Sequence, residues 1–363
     1  MNRHITILGA GSSGMSTAAW LQGQGWEVTL CDTPEQSEFD VIRNQGGIIL
    51  RGNSGRRGCI MPYRLTYDFE EALADTDKVI LCISSGRHKE VSVKIAEFAK
   101  EKQAFLFSPG NFGSFILKEE LKKKGKTGCY VAELSGNLWA CRSHEQGEVL
   151  IATPLKSQIK VSALPANDTE NVIELFKDIF PLKAAANVLE ASLNSPNVVS
   201  HVAGAVVNAV EIEKKGKEFA FFLHGMGETT LQCIAAVEKE RNAVLKELEM
   251  EIYAPSSEGF MRTLMDRTSH PELDYFRELD GPSDFSHRYV SEDAACGMAM
   301  LVSLGKEYHI PVPFLEALLV IAQTINGEDY LVSGRTLENL GLKGLTKEEL
   351  KRKLEESFIE EIE

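Results

Sequence analysis

The sequence has few basic residues relative to acidic ones. Its 363 residues include 39 lysines and arginines against 53 aspartates and glutamates, so the formal net charge is −14. A surface that binds nucleic acid needs a basic face, and this balance therefore argues against a nucleic-acid partner. Small anionic ligands are not excluded, because a local arginine or a helix N-terminus can bind them whatever the net charge.

Long hydrophobic runs and paired cysteines are also missing. The apolar stretch at residues 314–325 contains Glu316 and Gln323 and is too short to cross a bilayer. The first predicted strand begins almost at Met1, so we expect no signal peptide. The seven cysteines are scattered without a C-x-x-C pair, which favours reduced thiols over a disulfide framework. We therefore expect a cytoplasmic protein with no membrane segment and no metal site.

The first 32 residues carry the clearest pattern. A short apolar strand leads into Gly9, Gly11 and Gly14, which form G-x-G-x-x-G at the start of a predicted helix. These glycines permit a tight turn, close approach of the backbone to a pyrophosphate, and close packing of helix on strand. The free N–H groups of the helix start, around Ser12 and Ser13, would face the phosphates. The alternative is a glycine-rich turn that binds nothing.

An acidic residue completes this fingerprint and predicts the choice of cofactor. Asp32 ends the second predicted strand and follows Gly11 by about 20 residues, as dinucleotide-binding motifs require. Its carboxylate would accept hydrogen bonds from the adenosine ribose and repel a 2′-phosphate. No arginine immediately follows it, and Arg43 lies too far along the chain. The sequence therefore predicts NAD as the cofactor in preference to NADP.

Strands and helices alternate as far as residue 124, which predicts a doubly wound parallel sheet. Ser84 follows the apolar strand at residues 78–83, at the sheet edge where ligands bind. It is a candidate cofactor contact, with a plain turn as the alternative. Residues 129–134, 148–153 and 158–163 are then predicted to extend this sheet as a meander. We expect an α/β chain with a Rossmann-type domain at 1–184 and an all-helical domain at 185–363.

One histidine in the second half has a notable setting. His201 lies in a predicted helix that begins at Ser195-Pro196, and Gly204, Ala205 and Asn208 share its face. Small residues there would leave room for a ligand, and histidine is the usual general acid–base at neutral pH. Asn208 is a candidate substrate contact. A satisfied core or surface histidine is the alternative.

A second charged stretch could supply the partners of a catalytic histidine. Arg288 could bind a substrate carboxylate through two parallel hydrogen bonds, and Asp293 could orient an imidazole. Ser291 is a predicted N-cap of the helix that follows. Asp293 would then lie in the first turn of that helix, where an acid also stabilises the helix dipole without any catalytic role. Spacing alone leaves both interpretations open.

The sequence resembles the opine dehydrogenase family, of the octopine/nopaline type, over nearly its whole length. The likeness is carried by ILGAGSSG, ACR at 140–142 followed by EVLIATPLKSQIKVSALP, LNSPNVVSH…NAVEIE, and HRYVSEDAACGM. It implies an N-terminal dinucleotide-binding domain, a helical C-terminal domain and an active site in the cleft between them. It also implies that His201 is the catalytic histidine, Asp293 its acidic partner and Arg288 a ligand of the substrate carboxylate.

The resemblance implies an oxidoreductase that acts on the CH–NH group of donors. Such an enzyme condenses an amino acid with a 2-oxo acid and reduces the imine with NAD(H), or runs the reverse oxidation. Departures from the family pattern at Val202, His224 and Ala294 leave the amino acid and the oxo acid open. The alternatives are a ketopantoate-reductase-like or 2-hydroxy-acid dehydrogenase, and a non-catalytic dinucleotide-binding protein. The partners expected are small molecules, and the oligomeric state is open, with a homodimer as one alternative.

Overall fold

The computed structural model describes residues 3–143, 145–253 and 256–356. The chain forms two compact units. The first runs to Val188 and includes the last described residues from Leu354, and the second is Leu189–Lys353. The domain division at 1–184 and 185–363 stays a prediction; it differs from these units at the start of the second unit and at the end of the chain.

The first unit is built on two β-sheets. Their strands are β1 (His4–Leu8), β2 (Glu27–Cys31), β3 (Ile48–Gly52), β4 (Gly58–Ile60), β5 (Arg64–Thr66), β6 (Lys78–Leu81), β7 (Ala104–Phe107), β8 (Tyr130–Leu134), β9 (Cys141–Ser143), β10 (Glu148–Ile151), β11 (Ile159–Ala163) and β12 (Leu182–Ala184). The larger sheet has eight strands in the order β12-β11-β8-β7-β6-β1-β2-β5, and the smaller has four in the order β4-β3-β10-β9.

Helices cover both faces of the larger sheet. They are α1 (Ser12–Gly23), α2 (Phe39–Gln45), α3 (Phe69–Ala74), α4 (His88–Phe98), α5 (Gly113–Lys123) and α6 (Thr169–Phe176). Side chains alternate along β1, so Ile5 and Ile7 pack into one core with α1 while Leu8 packs into the other with α4. The central strand pairs are parallel, and the chain passes from one side of β1 to the other between β2 and β6. This confirms the α/β class and puts a topological switch point beside β1.

The predicted meander is wrong in one of its three strands. β8 pairs with β7 and β11, but β10 leaves the larger sheet and pairs with β3 and β9. The reason lies in α1, whose Met15, Ala18 and Leu21 are buried together with Val149 and Ile151. A helix buried on most of its surface needs an apolar layer on its second side, and the smaller sheet supplies that layer.

The second unit is helical. Its helices are α7 (Val188–Leu193), α8 (Pro196–Val207), α9 (Ala209–Lys215), α10 (Phe221–His224), α11 (Glu228–Glu247), α12 (Ser257–Met265), α13 (Asp274–Arg277), α14 (Arg288–Asp293), α15 (Ala299–Glu307), α16 (Pro313–Asn326), α17 (Tyr330–Ser333) and α18 (Lys347–Glu355). α8 packs against α11, α14 and α16. No helix in the described part of the chain is long and apolar enough to span a membrane.

Candidate active site

A buried histidine–aspartate pair lies in the helical unit. His201 on α8 and Asp293 at the end of α14 are 92 positions apart in the sequence, yet His201 Nδ1 lies 2.7 Å from Asp293 Oδ2. Both side chains are only 6% exposed. When the carboxyl is ionised, the imidazole N–H donates to it, and this bond fixes the tautomer and the orientation of the ring. The structure thus brings together the two residues that the sequence singled out as a catalytic pair.

The helix that carries Asp293 begins earlier than predicted. His287, not Ser291, is its N-cap, and the His287 ring accepts a hydrogen bond from the Tyr289 N–H at 3.3 Å. Ser291 lies inside the helix, where its hydroxyl donates to the Ser286 carbonyl at 2.9 Å. Ser was favoured in the sequence because of its strong capping preference, but histidine has taken that role here. Asp293 therefore lies beyond the first turn, where the helix-dipole interpretation no longer applies.

A π-helical segment follows Asp293 directly, over Ala294–Met298. Such segments are uncommon and frequently occur at functional sites, since the extra residue in the turn redirects the side chains beside it. Burial raises the pKa of the Asp293 carboxyl to about 7, while the positive charge of Arg288 lowers it. Buried, perturbed carboxyls of this kind are frequent at functional sites.

Aromatic rings hold the histidine in place. The Tyr289 ring stacks on the His201 imidazole with ring centres 3.5 Å apart and an angle of 13° between the planes. Phe221 meets the imidazole edge-on at 6.0 Å and the Tyr289 ring at 5.2 Å. Arg288, half-buried, has its guanidinium 5.3 Å from the centre of the same tyrosine ring. Tyr289 and Phe221 were missed in the sequence, because aromatic residues in an apolar helical context are typical of a core.

The glycine one turn after His201 makes room for a protein side chain. A Cβ atom on Gly204 would come within 2.4 Å of the Phe221 ring, so that glycine makes room for the aromatic side chain. Asn208 ends α8, and its amide nitrogen donates to the Gly204 and Gly225 carbonyls at 2.8 and 2.9 Å. The amide nitrogen of Asn208 therefore stabilises the loop before α11. Contact between Asn208 and the substrate stays a prediction. His224 is exposed, and its ring accepts from the Ala220 N–H.

The glycine motif of the first unit forms a tight turn between β1 and α1. Gly9 has a φ of +100°, and a Cβ on Gly14 would lie 1.7 Å from the Gly9 carbonyl oxygen. A Cβ on Gly11 would meet nothing within 4 Å, so the space in front of the α1 N-terminus is open. The first-turn N–H groups have no acceptor within the helix. These features fit the pyrophosphate of a dinucleotide.

The two serines of the motif have side-chain partners elsewhere in the same unit. Ser12 Oγ accepts from the Ser143 N–H at 3.0 Å, and Ser13 Oγ lies 3.7 Å from Cys141 Sγ. Both partners belong to β9 of the smaller sheet. The hydroxyls therefore join α1 to that sheet, and the part of these serines suited to a phosphate is the backbone N–H.

Asp32 follows β2 directly, and its carboxylate accepts hydrogen bonds from two backbone N–H groups and from one arginine. Its Oδ2 accepts from the Ala10 N–H at 2.6 Å, and its Oδ1 from the Thr33 N–H at 2.7 Å. Its Oδ1 also lies 2.9 Å from Nη1 of Arg87, which is 55 positions later in the sequence. Arg43 pairs with Asp40 instead. No short-range pattern around Asp32 could have indicated Arg87.

Ser84 lies at the same sheet edge, after β6. It is exposed, and its carbonyl accepts from the Arg87 N–H at 2.9 Å, closing a 3₁₀ turn over Ser85–Arg87. The neighbouring Ser85 is buried, and its hydroxyl accepts from the Asn111 amide at 2.9 Å in the loop that follows β7. The carboxyl ends of the parallel strands thus carry Ser84, Asn111 and Asp32, and the cofactor contacts of Ser84 and Asp32 stay predictions.

The metal-ligating side chains and the cysteines do not point to further chemistry. Within residues 3–143, 145–253 and 256–356, no group of three or more histidine, cysteine or acidic side chains is arranged to hold a metal ion. All seven cysteines are free thiols, and burial raises the pKa of Cys31 and of Cys82 to about 12. Such thiols carry protons at neutral pH and are poor nucleophiles.

Known proteins match the chain over both units. A family model described as NAD/NADP octopine/nopaline dehydrogenase, alpha-helical domain, matches residues 184–326, the region of the buried histidine–aspartate pair. An opine dehydrogenase of Arthrobacter sp. (strain 1C) is 28% identical over 353 residues, with 95% of this chain and 97% of the relative covered. The chain is therefore similar to opine dehydrogenases along nearly its whole length.

Solved structures and a second family model agree with the two-part fold. An octopine dehydrogenase with NADH and L-arginine is 18% identical, with a TM-score of 0.66 and 97% of this chain and 98% of that chain covered. An octopine dehydrogenase with NADH and pyruvate is 17% identical, with a TM-score of 0.66, and 98% and 96% are covered. A model described as ketopantoate reductase PanE/ApbA matches residues 5–108 of this chain. That match covers the dinucleotide-binding part alone.

Proposed function

We propose that the chain is an NAD(P)-dependent oxidoreductase that acts on the CH–NH group of donors. It condenses the amine of an amino acid with a 2-oxo acid and reduces the resulting imine with NAD(H), and it also runs the reverse oxidation. The observation that carries this proposal is the buried His201–Asp293 pair beside Arg288, within the region that matches the family's helical domain. The opine dehydrogenase relative and the octopine dehydrogenase structures with NADH, L-arginine and pyruvate support the same substrate classes.

The roles of the residues follow from their chemistry. Condensation joins an amine to a ketone carbon and releases water, so a proton must reach the departing oxygen. Since Nδ1 of His201 is hydrogen-bonded to Asp293, the imidazole exchanges protons with the substrate through Nε2. The Asp293 carboxylate stabilises the imidazolium that forms. Arg288 would bind a substrate carboxylate with its planar guanidinium. NADH, when bound in the first unit, supplies the hydride.

The cofactor site is assigned to the first unit. We propose that the N–H groups of Gly11, Ser12 and Ser13 bind the pyrophosphate and that Asp32 binds the ribose. Gly9 and Gly14 shape the turn, and Ser84 is a further contact. The support is the open space in front of Gly11 and the tight packing of Gly14 on Gly9.

We further propose a cytoplasmic location, small-molecule partners and the domain division 1–184 and 185–363. Free thiols at all seven cysteines support the reducing compartment. A homodimer stays an alternative to a monomer, and light scattering of the purified protein distinguishes the two. The net charge of −14 gives no support to a nucleic-acid partner.

One observation favours a second candidate, a reductase that uses an oxo acid alone. The ketopantoate reductase model matches residues 5–108, although it does not extend into the helical unit. Measuring NADH absorbance with a panel of 2-oxo acids, with and without amino acids, separates the two. Oxidation that needs both substrates supports the opine reaction, and oxidation with the oxo acid alone supports the second candidate. Binding of NADH without turnover on any combination contradicts both.

A further inference from the structure

The hydrogen-bonding capacity of Asp32 is nearly used up by the protein itself. This carboxylate is only 4% exposed, and it accepts from two backbone N–H groups and from Arg87. An ionised carboxylate has about four acceptor positions. With three used by donors in the described part of the chain, a ribose hydroxyl finds about one further position, on Oδ2. Arg87 therefore occupies a position on Oδ1 that a cofactor ribose could otherwise use.

The position of Arg87 is suited to a phosphate at the same place. It ends the 3₁₀ turn after β6, and its guanidinium also lies 3.3 Å from Thr33 Oγ1 and 3.7 Å from Glu90. The side chain is 20% exposed, so part of the guanidinium faces solvent beside Asp32. An arginine fork binds a phosphate through two parallel hydrogen bonds, whereas a bare carboxylate repels it.

We infer that Arg87 is a specificity-determining residue for the cofactor: it neutralises Asp32 and makes the ribose end of the site tolerant of a 2′-phosphate. The inference rests on one part of the proposed function, namely that the first unit binds a dinucleotide. NAD(H) remains the preferred cofactor, because Asp32 still accepts from a ribose hydroxyl. The preference is narrow, and NADP(H) binds within about tenfold, the size of one charge-assisted hydrogen bond. Without Arg87 the same site would exclude the 2′-phosphate.

Equilibrium binding to the full-length protein tests this without any turnover. Isothermal titration calorimetry with AMP and with adenosine 2′,5′-bisphosphate isolates the contribution of the 2′-phosphate, and NAD⁺ and NADP⁺ repeat the comparison. In Arg87→Gln, we expect affinity for AMP within about threefold of wild type. Affinity for the bisphosphate should fall on the order of 10- to 100-fold. Arg87→Lys should lie between the two, because it keeps the charge and loses the fork.

A matched control is available in the same unit. Arg43→Gln removes an arginine that is also paired with an aspartate, Asp40, but on the surface and away from Asp32. It should leave both affinities unchanged. Rising salt should weaken binding of the bisphosphate more than binding of AMP in wild type, and this difference should shrink in Arg87→Gln.

Three results would overturn the inference. The first is an unchanged ratio of bisphosphate to AMP affinity in Arg87→Gln. The second is an equal loss of both affinities in Arg87→Gln and Arg87→Lys, which would make Arg87 a strut for Asp32 alone. The third is a wild-type protein that binds neither nucleotide, which would remove the dinucleotide site as well. Normal nucleotide binding without turnover on any amine and oxo acid contradicts the proposed function and leaves the inference standing.

Discussion

Replacing Asp293 with asparagine tests the central pair most directly. The change keeps the size of the side chain and removes the charge that faces His201 Nδ1 at 2.7 Å. A buried hydrogen bond to a charged group contributes about 1.5–3 kcal/mol. Since about 1.4 kcal/mol corresponds to a factor of ten in rate, we expect kcat to fall on the order of 10- to 100-fold. His201→Ala, which removes the general acid–base itself, should lower kcat by about 10²–10⁴-fold.

Replacing Asp293 should also change the pH dependence of kcat. A carboxylate beside an imidazole favours the imidazolium, so its removal should move the histidine limb of the kcat profile to lower pH. Burial raises the pKa of the Asp293 carboxyl to about 7, whereas an aspartate in an unfolded chain titrates near 4. Between these values the unfolded state has released the proton and the folded state retains it. Stability contributed by this carboxyl therefore falls as pH rises from about 4 to about 7.

The assay is steady-state kinetics by NADH absorbance from pH 5 to 9, with thermal melting and NADH binding measured on each variant. The His201→Ala/Asp293→Asn double variant should lose little more than His201→Ala alone, because the two residues act as a unit. His270→Ala is the matched control, since His270 pairs with Glu272 at 3.0 Å on the surface. If the two single losses multiply, or if Asp293→Asn melts earlier with kcat per folded molecule intact, the assignment of a catalytic pair is wrong.

Three further predictions concern the residues around this pair and the cofactor site. Arg288→Lys should raise KM for the 2-oxo acid on the order of tenfold with NADH affinity unchanged, because a point charge does not replace the fork; an equal loss of NADH binding would contradict this role. Tyr289→Leu should lower kcat about 2- to 10-fold, because it removes the ring stacked on His201, while Tyr289→Phe should stay within about threefold; equal effects would show that the ring stack is unimportant. Wild-type kcat/KM should be higher with NADH than with NADPH, because Asp32 favours the ribose hydroxyl, and the opposite order would refute this function of Asp32.

Local patterns predicted the part of the molecule in which neighbours in sequence are neighbours in space. The strand–turn–helix–strand unit from His4 to Cys31 follows from apolar runs, glycines and the acid at Asp32, all within about 30 residues. The start of α8 at Pro196 follows in the same way, because the sequence carries a residue pair typical of a helix start. The wrong N-cap at Ser291 shows the limit of such patterns, since His287 four positions earlier took that role.

Tertiary structure decided the contacts on which the chemistry depends. The His201–Asp293 bond joins positions 92 apart, and only the likeness to a known family indicated it in the sequence. Arg87 beside Asp32, the Tyr289 ring on His201 and the departure of β10 into a second sheet had no signal at all. The physical reason is common to all of them. Backbone propensity, capping and amphipathic period are encoded locally, whereas ion pairing, ring stacking and strand pairing depend on which surfaces remain to be buried once the elements pack.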